Sequence, residues 1–350
     1  MSINGIVLFH VVILVTLLGS SCRKEENPSL GSVSTSEVEN IRRSSANVYG
    51  TAVAGKSDTI IAVGFCWNTS GSPTVYDNFS LSGVWPTEFS NTLQGLKPGT
   101  KYYLRAYLSC LSGVYYGNER VFKTMEANID ISFNPALQYG SMSDIDGNIY
   151  KTIVIKGQEW MAENLRTTHY NDNSAIPLVE DANDWRYRSS PGFCWYENND
   201  TLYRNLYGGY YNWYAVNTGK LCPAGWHVST DAEWISMDIG LGIDSASANF
   251  WYWRGTNQGM IMKEAGNNNW VADTVSGSNE TGFTGLPGGR RRGDYGSFDE
   301  EGYAAFWWTA EDHGYSWAVC HGLWSFTSAS YRESEEKSSG FNVRCIRDKN

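Results

Sequence analysis

The chain has 350 residues, which leaves room for two domains and a short export segment. Its formal net charge is -10 and only 18% of its residues are charged, which argues against a nucleic-acid or anionic-membrane surface. The 36 glycines, 15 tryptophans and 22 tyrosines suit loop-rich, β-rich exported modules.

An apolar segment is the first predicted element. Residues 6–18 are apolar apart from His10 and Thr16. The segment is too short to span a bilayer and stands where the core of a secretory signal belongs. Small residues directly before Cys22 resemble the lipobox of bacterial lipoproteins. This resemblance implies a signal peptide over 1–21 and acylation of Cys22.

The residues after Cys22 predict where the protein is displayed. Residues 23–26, RKEE, resemble the short acidic signal that sends lipoproteins of Bacteroidetes to the outer face of the outer membrane. A few charges in a flexible tether, which we place over 22–32, would look the same. We expect a lipid-anchored outer-membrane protein that faces the cell exterior and contacts the membrane through its lipid only.

Short alternating segments between turn signals occupy residues 33–125 and predict a β-sandwich. The phrase LKPGTKY over Leu96–Tyr102 resembles the corner before strand F of fibronectin type III domains, which implies that the Tyr102 hydroxyl bonds the upstream backbone. We expect an all-β, fibronectin type III-like spacer without catalytic residues. The predicted strands are Val33–Val38, Ser45–Val53, Thr59–Trp67, Thr87–Leu93, Lys101–Ser109 and Val114–Thr124.

A polar linker is predicted over 126–141, and a tight turn follows it. Residues 144–148, DIDGN, resemble the start of a calcium loop. However, Ile149 and Ile155 stand where such a loop needs glycine and glutamate, so a hairpin turn is favoured. The strands predicted after this turn are Ile149–Ile155 and Glu159–Leu165.

Residues 221–234, LCPAGWHVSTDAEW, predict a turn, a short strand and a capped helix in succession. The strand at 226–228 alternates inward, outward and inward. Thr230 followed three positions later by Glu233 forms a capping box, which starts the helix at Asp231.

Seven phrases follow one another in the order that a known family uses: Asp144–Leu165, Tyr207–Val216, Leu221–Trp234, Met262–Trp270, Thr281–Gly289, Phe306–Glu311 and Gly340–Asp348. Together they resemble the major paralogous domain of Fibrobacter, FISUMP, over 142–349. The resemblance implies a C-type-lectin-like α+β fold, shared with the formylglycine-generating enzymes, so the whole chain is expected to be multidomain. It implies no defined biochemical activity.

Six cysteines follow Cys22 and face an oxidising compartment, where they can pair in 15 ways. No two of them lie two to four residues apart, which argues against a structural zinc site. The FISUMP resemblance implies a disulfide between Cys222 and Cys345. For Cys66 and Cys110, a bridge between neighbouring strands and two buried free thiols both stay open. The two cysteines left unassigned are Cys194 and Cys320.

Tryptophan supplies the candidate ligand platform. Thirteen of the 15 tryptophans follow residue 142, and an exposed indole can stack on the apolar face of a sugar ring. Those inside the family phrases are expected in the core: Trp160, Trp213, Trp226, Trp234 and Trp308. The platform candidates, for which burial remains an equal alternative, are Trp195, Trp251, Trp253 and Trp324.

Charged stretches give weaker candidates. Residues 197–200 offer oxygen ligands, with Glu197 and Asp200 as candidates for calcium, but a solvated turn is favoured. The run Arg290–Arg292 fits a solvated loop, with docking of an acidic glycan as the alternative. The Glu-Pro-Asn, Gln-Pro-Asp and Trp-Asn-Asp triplets of classical calcium-dependent lectins are absent from the sequence. No cofactor is otherwise expected.

Enzyme signatures are missing from the sequence. Cys320 and Cys345 stand too far apart for the active pair that formylglycine-generating oxidases use. Neither a G-x-S-x-G elbow nor a Walker loop occurs. The histidines outside the signal include no closely spaced pair of the kind that iron enzymes on that fold use: His169, His227, His313 and His321.

We therefore expect a non-enzymatic surface lipoprotein whose C-terminal module binds an extracellular ligand, preferably a polysaccharide or glycoconjugate. A protein-binding adhesin or surface-assembly component is the alternative, followed by an enzyme of unrecognised chemistry. Fold alone does not separate these functions.

Overall fold

A computed structural model of the chain describes residues 31–55, 58–83, 87–126, 130–266, 269–270 and 275–349. The chain forms two compact units that divide between Ala127 and Asn128. The predicted signal peptide and Cys22 lie outside the described residues. Over the described ranges, no helix is long and apolar enough to cross a membrane.

The described residues of unit 1 form antiparallel strands. Its eight strands are β1 Ser32–Thr35, β2 Ala46–Val53, β3 Ile60–Asn68, β4 Asn78–Gly83, β5 Glu88–Leu93, β6 Lys101–Cys110, β7 Gly113–Tyr116 and β8 Arg120–Lys123.

Two sheets share one apolar core in this unit. The order β1-β2-β5 forms the first sheet, and β4-β3-β6-β7 forms the second, with β8 continuing along β6. Alternation along β2 turns Ala46 and Val48 inward, where they meet Phe65, Phe89 and Leu104. The unit is thus a β-sandwich, as the alternating pattern predicts.

The strand pattern differs from the prediction at two places. β4 occurs where no strand is predicted; only Phe79 and Leu81 alternate with its polar residues in the sequence NFSLSG, and this signal is too short to separate the strand from a loop. The segment Val114–Thr124 contains two strands, since β7 and β8 pair with different halves of β6.

Cys66 and Cys110 are not bridged; both are buried free thiols. Their strands β3 and β6 are neighbours, but Cys66 lies opposite Arg105 and Cys110 opposite Ile60. Six residues of strand, about 20 Å, therefore separate the two side chains along the sheet. Neighbouring strands alone do not bring two cysteines into register.

The predicted tyrosine corner is confirmed. The Lys97 amide donates a hydrogen bond to the Tyr102 hydroxyl at 2.9 Å. Tyr102 is buried and stacks on Phe122 with ring centroids 5.6 Å apart. The bond fixes the turn before β6 to the strand that follows it.

Replacing Tyr102 by Phe tests this corner. The substitution keeps the ring packing and removes the acceptor of the Lys97 amide, so we expect the unfolding free energy of unit 1 to fall by about 1 kcal/mol. Urea unfolding of the full chain measures the change. Phe122→Leu is the packing control. An unchanged midpoint for Tyr102→Phe would show that water replaces the hydroxyl without loss.

Over its described residues, unit 2 combines β-strands with five short α-helices and two 3-10 turns, at Tyr196–Asn198 and Ser247–Asn249. Its strands are β9 Gly140–Ser143, β10 Ile149–Ile155, β11 Gln158–Met161, β12 Phe193–Cys194, β13 Tyr210–Tyr211, β14 Trp226–Val228, β15 Tyr252–Arg254, β16 Arg290–Arg291, β17 Phe298–Asp299, β18 Ala304–Asp312, β19 Trp317–Trp324, β20 Ser330–Glu336 and β21 Cys345–Arg347. Its helices are α1 Ala182–Trp185, α2 Asp200–Tyr207, α3 Trp213–Val216, α4 Asp231–Gly240 and α5 Gln258–Met262.

Two larger sheets organise this unit. One has the order β14-β21-β11-β10-β9, so that the C-terminal strand lies inside the sheet. The other has the order β15-β20-β19-β18 and leaves β15 at an edge. Opposite faces of the second sheet enter two cores, with Phe306 and Trp308 on one face and Ala305 and Trp307 on the other.

The predicted disulfide between Cys222 and Cys345 is present. Cys222 precedes β14 and Cys345 begins β21, and these two strands are paired through Val228 and Cys345. The bridge closes a loop of sequence separation 123 and ties the C-terminal strand to the segment before α4.

Most of the segment predicted as a linker is part of unit 2 and bonds to distant residues of that unit. The Ser132 amide donates to a Glu264 carboxylate oxygen at 2.8 Å, and the Asn134 side chain donates to the Asn279 carbonyl at 3.0 Å. β9 pairs with β10 as well. Polar composition gives no sign of these bonds, because their acceptors lie more than 100 residues along the chain.

The capping box that starts α4 is confirmed. The Glu233 amide donates to the Thr230 hydroxyl, and the Thr230 amide donates to the Glu233 carboxylate at 2.9 Å. β14 shows the predicted alternation, with Trp226 and Val228 buried. The turn, strand and helix of 221–234 thus follow their local sequence.

Candidate functional site

The four predicted platform tryptophans do not share one environment. Trp195 is buried at 5% exposure, with Phe193 at the edge of its ring and the Arg204 guanidinium over it. It is therefore a core residue, and its prediction as a platform is wrong. Trp251 and Trp253 are 38% and 44% exposed, and Trp324 is partly buried.

Trp253 belongs to a cluster that we call the aromatic surface, made of Trp253, Trp324, Phe326 and Tyr331. The Trp253 ring lies 4.4 Å from Tyr331, 5.4 Å from Phe326 and 6.1 Å from Trp324, measured between centroids. Phe326 is 57% exposed. The surface is thus both open to solvent and held by ring contacts among its members.

The edge strand β15 places Trp253 on this surface. Its neighbour Arg254 is buried and donates to Asp238 at 2.8 Å and to the Ala248 carbonyl at 2.7 Å. Because successive side chains of a strand point to opposite faces, anchoring Arg254 inward turns Trp253 outward. Pairing of Trp253 with Tyr331 in register then brings the two rings together.

Trp251 lies on the opposite face of the sheet. Its ring stacks on the Arg332 guanidinium at 3.9 Å, and Arg332 follows Tyr331 directly in β20. The positive φ of Tyr252, 69°, breaks the alternation that would place Trp251 beside Trp253. The structure therefore does not bring Trp251 and Trp253 together into one platform.

A buried polar network anchors β15 on the face opposite Trp253. Arg254 donates to His321 Nδ1 at 3.0 Å, and His321 Nε2 donates to Asp231 at 2.9 Å. Burial lowers the pKa of His321 to about 3, and the Arg254 charge acts in the same direction, so the imidazole is neutral. Arg332 also donates to both Asp231 carboxylate oxygens. These hydrogen bonds anchor β15 through Arg254 and β20 through Arg332.

Carboxylates continue the face that carries the aromatic surface. The Tyr331 hydroxyl donates to Glu333 at 2.9 Å, and Glu335 follows on the same face of β20. Arg290 donates to Asp299, Glu335 and Glu300 at 3.1, 2.9 and 3.2 Å. We call Asp299, Glu300, Glu333 and Glu335 the carboxylate strip.

Two members of the strip titrate near neutrality. Burial raises the pKa of Glu300 to about 7, although Arg290 opposes the shift. Burial also raises the pKa of Glu333 to about 7, with Glu335 adding to the shift and the Tyr331 bond opposing it. These carboxyls can therefore both donate and accept hydrogen bonds around pH 7.

Arg290–Arg292 form neither a solvated loop nor an open anion site. Arg291 is buried, donates to the carbonyls of Val179, Glu180 and Gly296, and stacks on Trp185. Arg292 donates twice to Asp294. A cleft of about 210 Å³ opens beside Arg290 and Arg292, with Trp317 and Glu335 in its wall.

The weak calcium candidates are placed at a helix start. Asn199 caps α2 by accepting from the Leu202 amide, and Asn198 donates to the Glu180 carbonyl. Asp200 accepts from the Thr201 hydroxyl. Over the residues that the structure describes, no group of three metal-ligating side chains occurs.

The upstream turn is a hairpin, as predicted. Asp144 accepts from the Asn148 amide, from the Asn148 side chain and from the Tyr150 hydroxyl. These bonds use its carboxylate within the turn.

The residues considered for redox chemistry lie apart. Cys345 is in the disulfide, and Cys320 is a buried thiol whose pKa burial raises well above its usual value. The histidines have separate partners: Asp146 for His169, Glu233 and Asp348 for His227, Trp251 for His313 and Asp231 for His321.

Sequence reasoning missed most of this site. Tyr331, Glu333 and Glu335 alternate with Arg332 and Ser334 along β20, so a reading at period two would have placed the first three on one face. Phe326 and Arg290 carry no such local signal. They reach the site through the fold.

The two units and the site define a class: a β-rich modular protein whose second unit presents an aromatic and carboxylate face. The sequence model of the Fibrobacter succinogenes major domain matches residues 153–347. The chain belongs to this family, which is the FISUMP family that its phrases indicate. No function is attached to the domain by this match.

Solved structures similar to the chain have low identity. The sensor domain of the anti-sigma factor RsgI4 from Pseudobacteroides cellulosolvens is 16% identical, with 28% of this chain and 97% of that chain covered and a TM-score of 0.23. An FN3 domain of human collagen XX is 15% identical, covering 29% and 100%, with a TM-score of 0.22. The fn3 domain of human contactin 1 is 16% identical, covering 35% and 94%, with a TM-score of 0.22. No curated protein matches the chain.

The raised pKa values predict that unit 2 loses stability as pH increases. Between the usual glutamate pKa of about 4.5 and about 7, the folded unit holds protons on Glu300 and Glu333 that the unfolded chain has released. This contribution is fully present below that window and is lost as pH rises through it. We expect the unfolding free energy to decrease from about pH 5 to about pH 8.

Glu333→Gln mimics the protonated carboxyl and should make that decrease shallower. Urea unfolding followed by tryptophan fluorescence at several pH values measures the slope. Glu280→Gln, at an exposed position of the same unit, is the matched control. Parallel slopes for the wild type and Glu333→Gln would contradict the pKa assigned to Glu333.

Proposed function

We propose that this protein is a surface lipoprotein whose second unit binds an extracellular polysaccharide or glycoconjugate without catalysis. The aromatic surface is the binding site. One observation carries the proposal: Trp253 is 44% exposed, yet its ring is held by contacts to Tyr331, Phe326 and Trp324.

A rigid, exposed indole suits a sugar ring. The C–H face of a pyranose is flat and apolar, and an indole offers a large apolar surface at low entropic cost. Side chains already fixed by their neighbours lose little freedom when a ligand arrives. Neighbouring rings at Trp324 and Phe326 extend the contact area beyond one sugar.

Polar groups beside the rings favour a glycan over a protein partner. Glu333 is joined to the aromatic surface by the Tyr331 hydroxyl, and Glu335 follows it. Sugar hydroxyls need such acceptors and donors at the rim of a stacking surface. An adhesive protein interface would instead present a broader apolar patch without converging polar groups.

We also propose a C-type-lectin-like α+β fold for unit 2. The disulfide between the segment before β14 and the last strand, with α4 directly after β14, supports it. The classical calcium-dependent triplets are missing from the sequence. The sugar site proposed here therefore depends on rings and carboxylates and not on a chelated ion.

The aromatic surface is tested with a glycan array probed by the full chain. We expect Trp253→Ala to weaken binding about tenfold, the loss of about 1.4 kcal/mol of contact energy. Trp251→Ala is the matched control, because it is the same residue type at similar exposure on the opposite face. A chelator should leave binding unchanged.

Other outcomes of the array decide against parts of this proposal. Loss of binding in Trp251→Ala alone would move the site to the other face of the sheet. Loss in chelator would require a metal. No binding to a broad array would favour a protein partner.

The N-terminal sequence supports display on the cell surface as part of this proposal. We propose that Cys22 carries the lipid anchor in the outer membrane and that unit 1, a fibronectin type III-like sandwich, is a spacer. Protease added to intact cells should digest the wild-type chain, and Cys22→Ala should be lost from the membrane fraction. A protected wild-type chain would contradict outward display, and an unchanged membrane fraction for Cys22→Ala would contradict the anchor.

A further inference from the structure

Negative charge surrounds the polar end of the aromatic surface. Trp253 contacts Tyr331, and the Tyr331 hydroxyl donates to Glu333. Glu335 lies two residues further along the same face of β20. A ligand stacked on Trp253 therefore reaches the Glu333 carboxylate within about 7 Å along the strand, the length of two residues, and Glu335 within about 14 Å.

Arg290, the guanidinium beside the carboxylate strip, is already occupied. Each of its three side-chain nitrogens donates to a different carboxylate, those of Asp299, Glu335 and Glu300. Arg292, at the margin of the strip, is paired with Asp294 and also lies 3.6 Å from an Asp299 carboxylate oxygen. The four carboxylates of the strip thus outnumber the guanidinium groups that face them, so the strip keeps an excess of negative charge for a ligand.

We propose that the glycan bound at the aromatic surface carries free ammonium groups, so that a sugar ring stacks on Trp253 while an ammonium is held by Glu333. The ligand class is thus a polysaccharide of non-acetylated amino sugars. This inference rests on the proposed function and specifies its ligand.

The chemistry of the site distinguishes this class from other glycans. An ammonium offers three donors and a full positive charge, and charge-assisted hydrogen bonds to carboxylates are about twice as strong as neutral ones. N-acetylation removes the charge and two of the donors. A uronic acid would place a carboxylate beside the strip and be repelled, since like charges at close range disfavour binding.

Proton release gives the proposal a signature of its own. Glu333 is partly protonated near neutrality because burial raises its pKa to about 7. An ammonium beside it favours the ionised carboxylate, so binding should expel a proton from Glu333 to the solvent. A neutral glycan would not do this.

The test is titration calorimetry of the full chain with hexamers of glucosamine and of N-acetylglucosamine. It is run at about pH 5.5, because the oxygens of an amino sugar make its amine less basic than an alkylamine, and at this pH the amine is largely protonated. We expect the amine hexamer to bind about tenfold more tightly than the acetylated one. Its heat should vary with the ionisation enthalpy of the buffer.

Variants assign the preference to one carboxylate. Glu333→Gln should reduce the tenfold preference to about twofold, because it weakens binding of the amine hexamer more than binding of the acetylated one. Glu333→Asp, which keeps the charge, should restore part of the preference. Glu280→Gln is the exposed control. Thermal melts check that each variant is folded.

The outcomes separate this inference from the proposed function. Equal affinity for both hexamers, weakened equally by Trp253→Ala, would overturn the ammonium preference and leave sugar stacking in place. A preference that survives in Glu333→Gln would overturn the role of this carboxylate. If neither hexamer nor any glycan of the array binds, both proposals fail.

Discussion

Unit 2 depends on the hydrogen bonds that the buried guanidinium of Arg344 donates. The guanidinium donates to Asn164, to the Met161 carbonyl and to the carbonyls of Phe283 and Thr284, at 2.7 to 3.1 Å. Burial lowers its pKa to about 9, so the charge persists at neutral pH. Satisfying four acceptors from distant segments offsets the cost of burying that charge. The disulfide at the next residue, Cys345, fixes the same strand covalently.

Arg344 is connected to the candidate site through a short chain of bonds and strands. Asn164, its acceptor, also accepts from the Trp307 indole at 2.8 Å. Trp307 lies on β18, and the sheet then runs through β19 and β20 to the edge strand β15. Because the register from β19 to β20 has no shift, the position of Trp253 beside Tyr331 follows from the anchored strands. The rigid scaffold and the exposed ring are therefore parts of one sheet.

Tryptophan is both buried and exposed in this unit, and the packing around each strand decides which. β15 and β18 are the two ends of the same sheet order, yet Trp307 and Trp308 on β18 are fully buried, one on each face, whereas Trp253 on β15 is 44% exposed. The hydrogen-bond partners of the arginines also differ with their position in the unit. Arg291 and Arg344 satisfy backbone carbonyls in the interior, while Arg290 lies at the surface among carboxylates. An edge strand next to partly buried glutamates forms the face for which we propose glycan binding.

Local sequence predicts three features of the fold: the strand Ile149–Ile155, the capping box at Thr230 and the tyrosine corner at Tyr102. Period and spacing suffice for the strand and the capping box, whereas the corner is predicted from the resemblance of Leu96–Tyr102 to fibronectin type III domains. Its family phrases also indicated the disulfide of Cys222 and Cys345. Only the tertiary structure decided that Trp195 is buried, that Trp251 and Trp253 face opposite ways, and that Glu333 joins the rings. These outcomes rest on contacts between strands some 80 residues apart, as between Trp253 and Tyr331, and on one positive φ at Tyr252. Local periodicity carries no information about either, because the partner across the sheet is chosen by the packing of the whole unit.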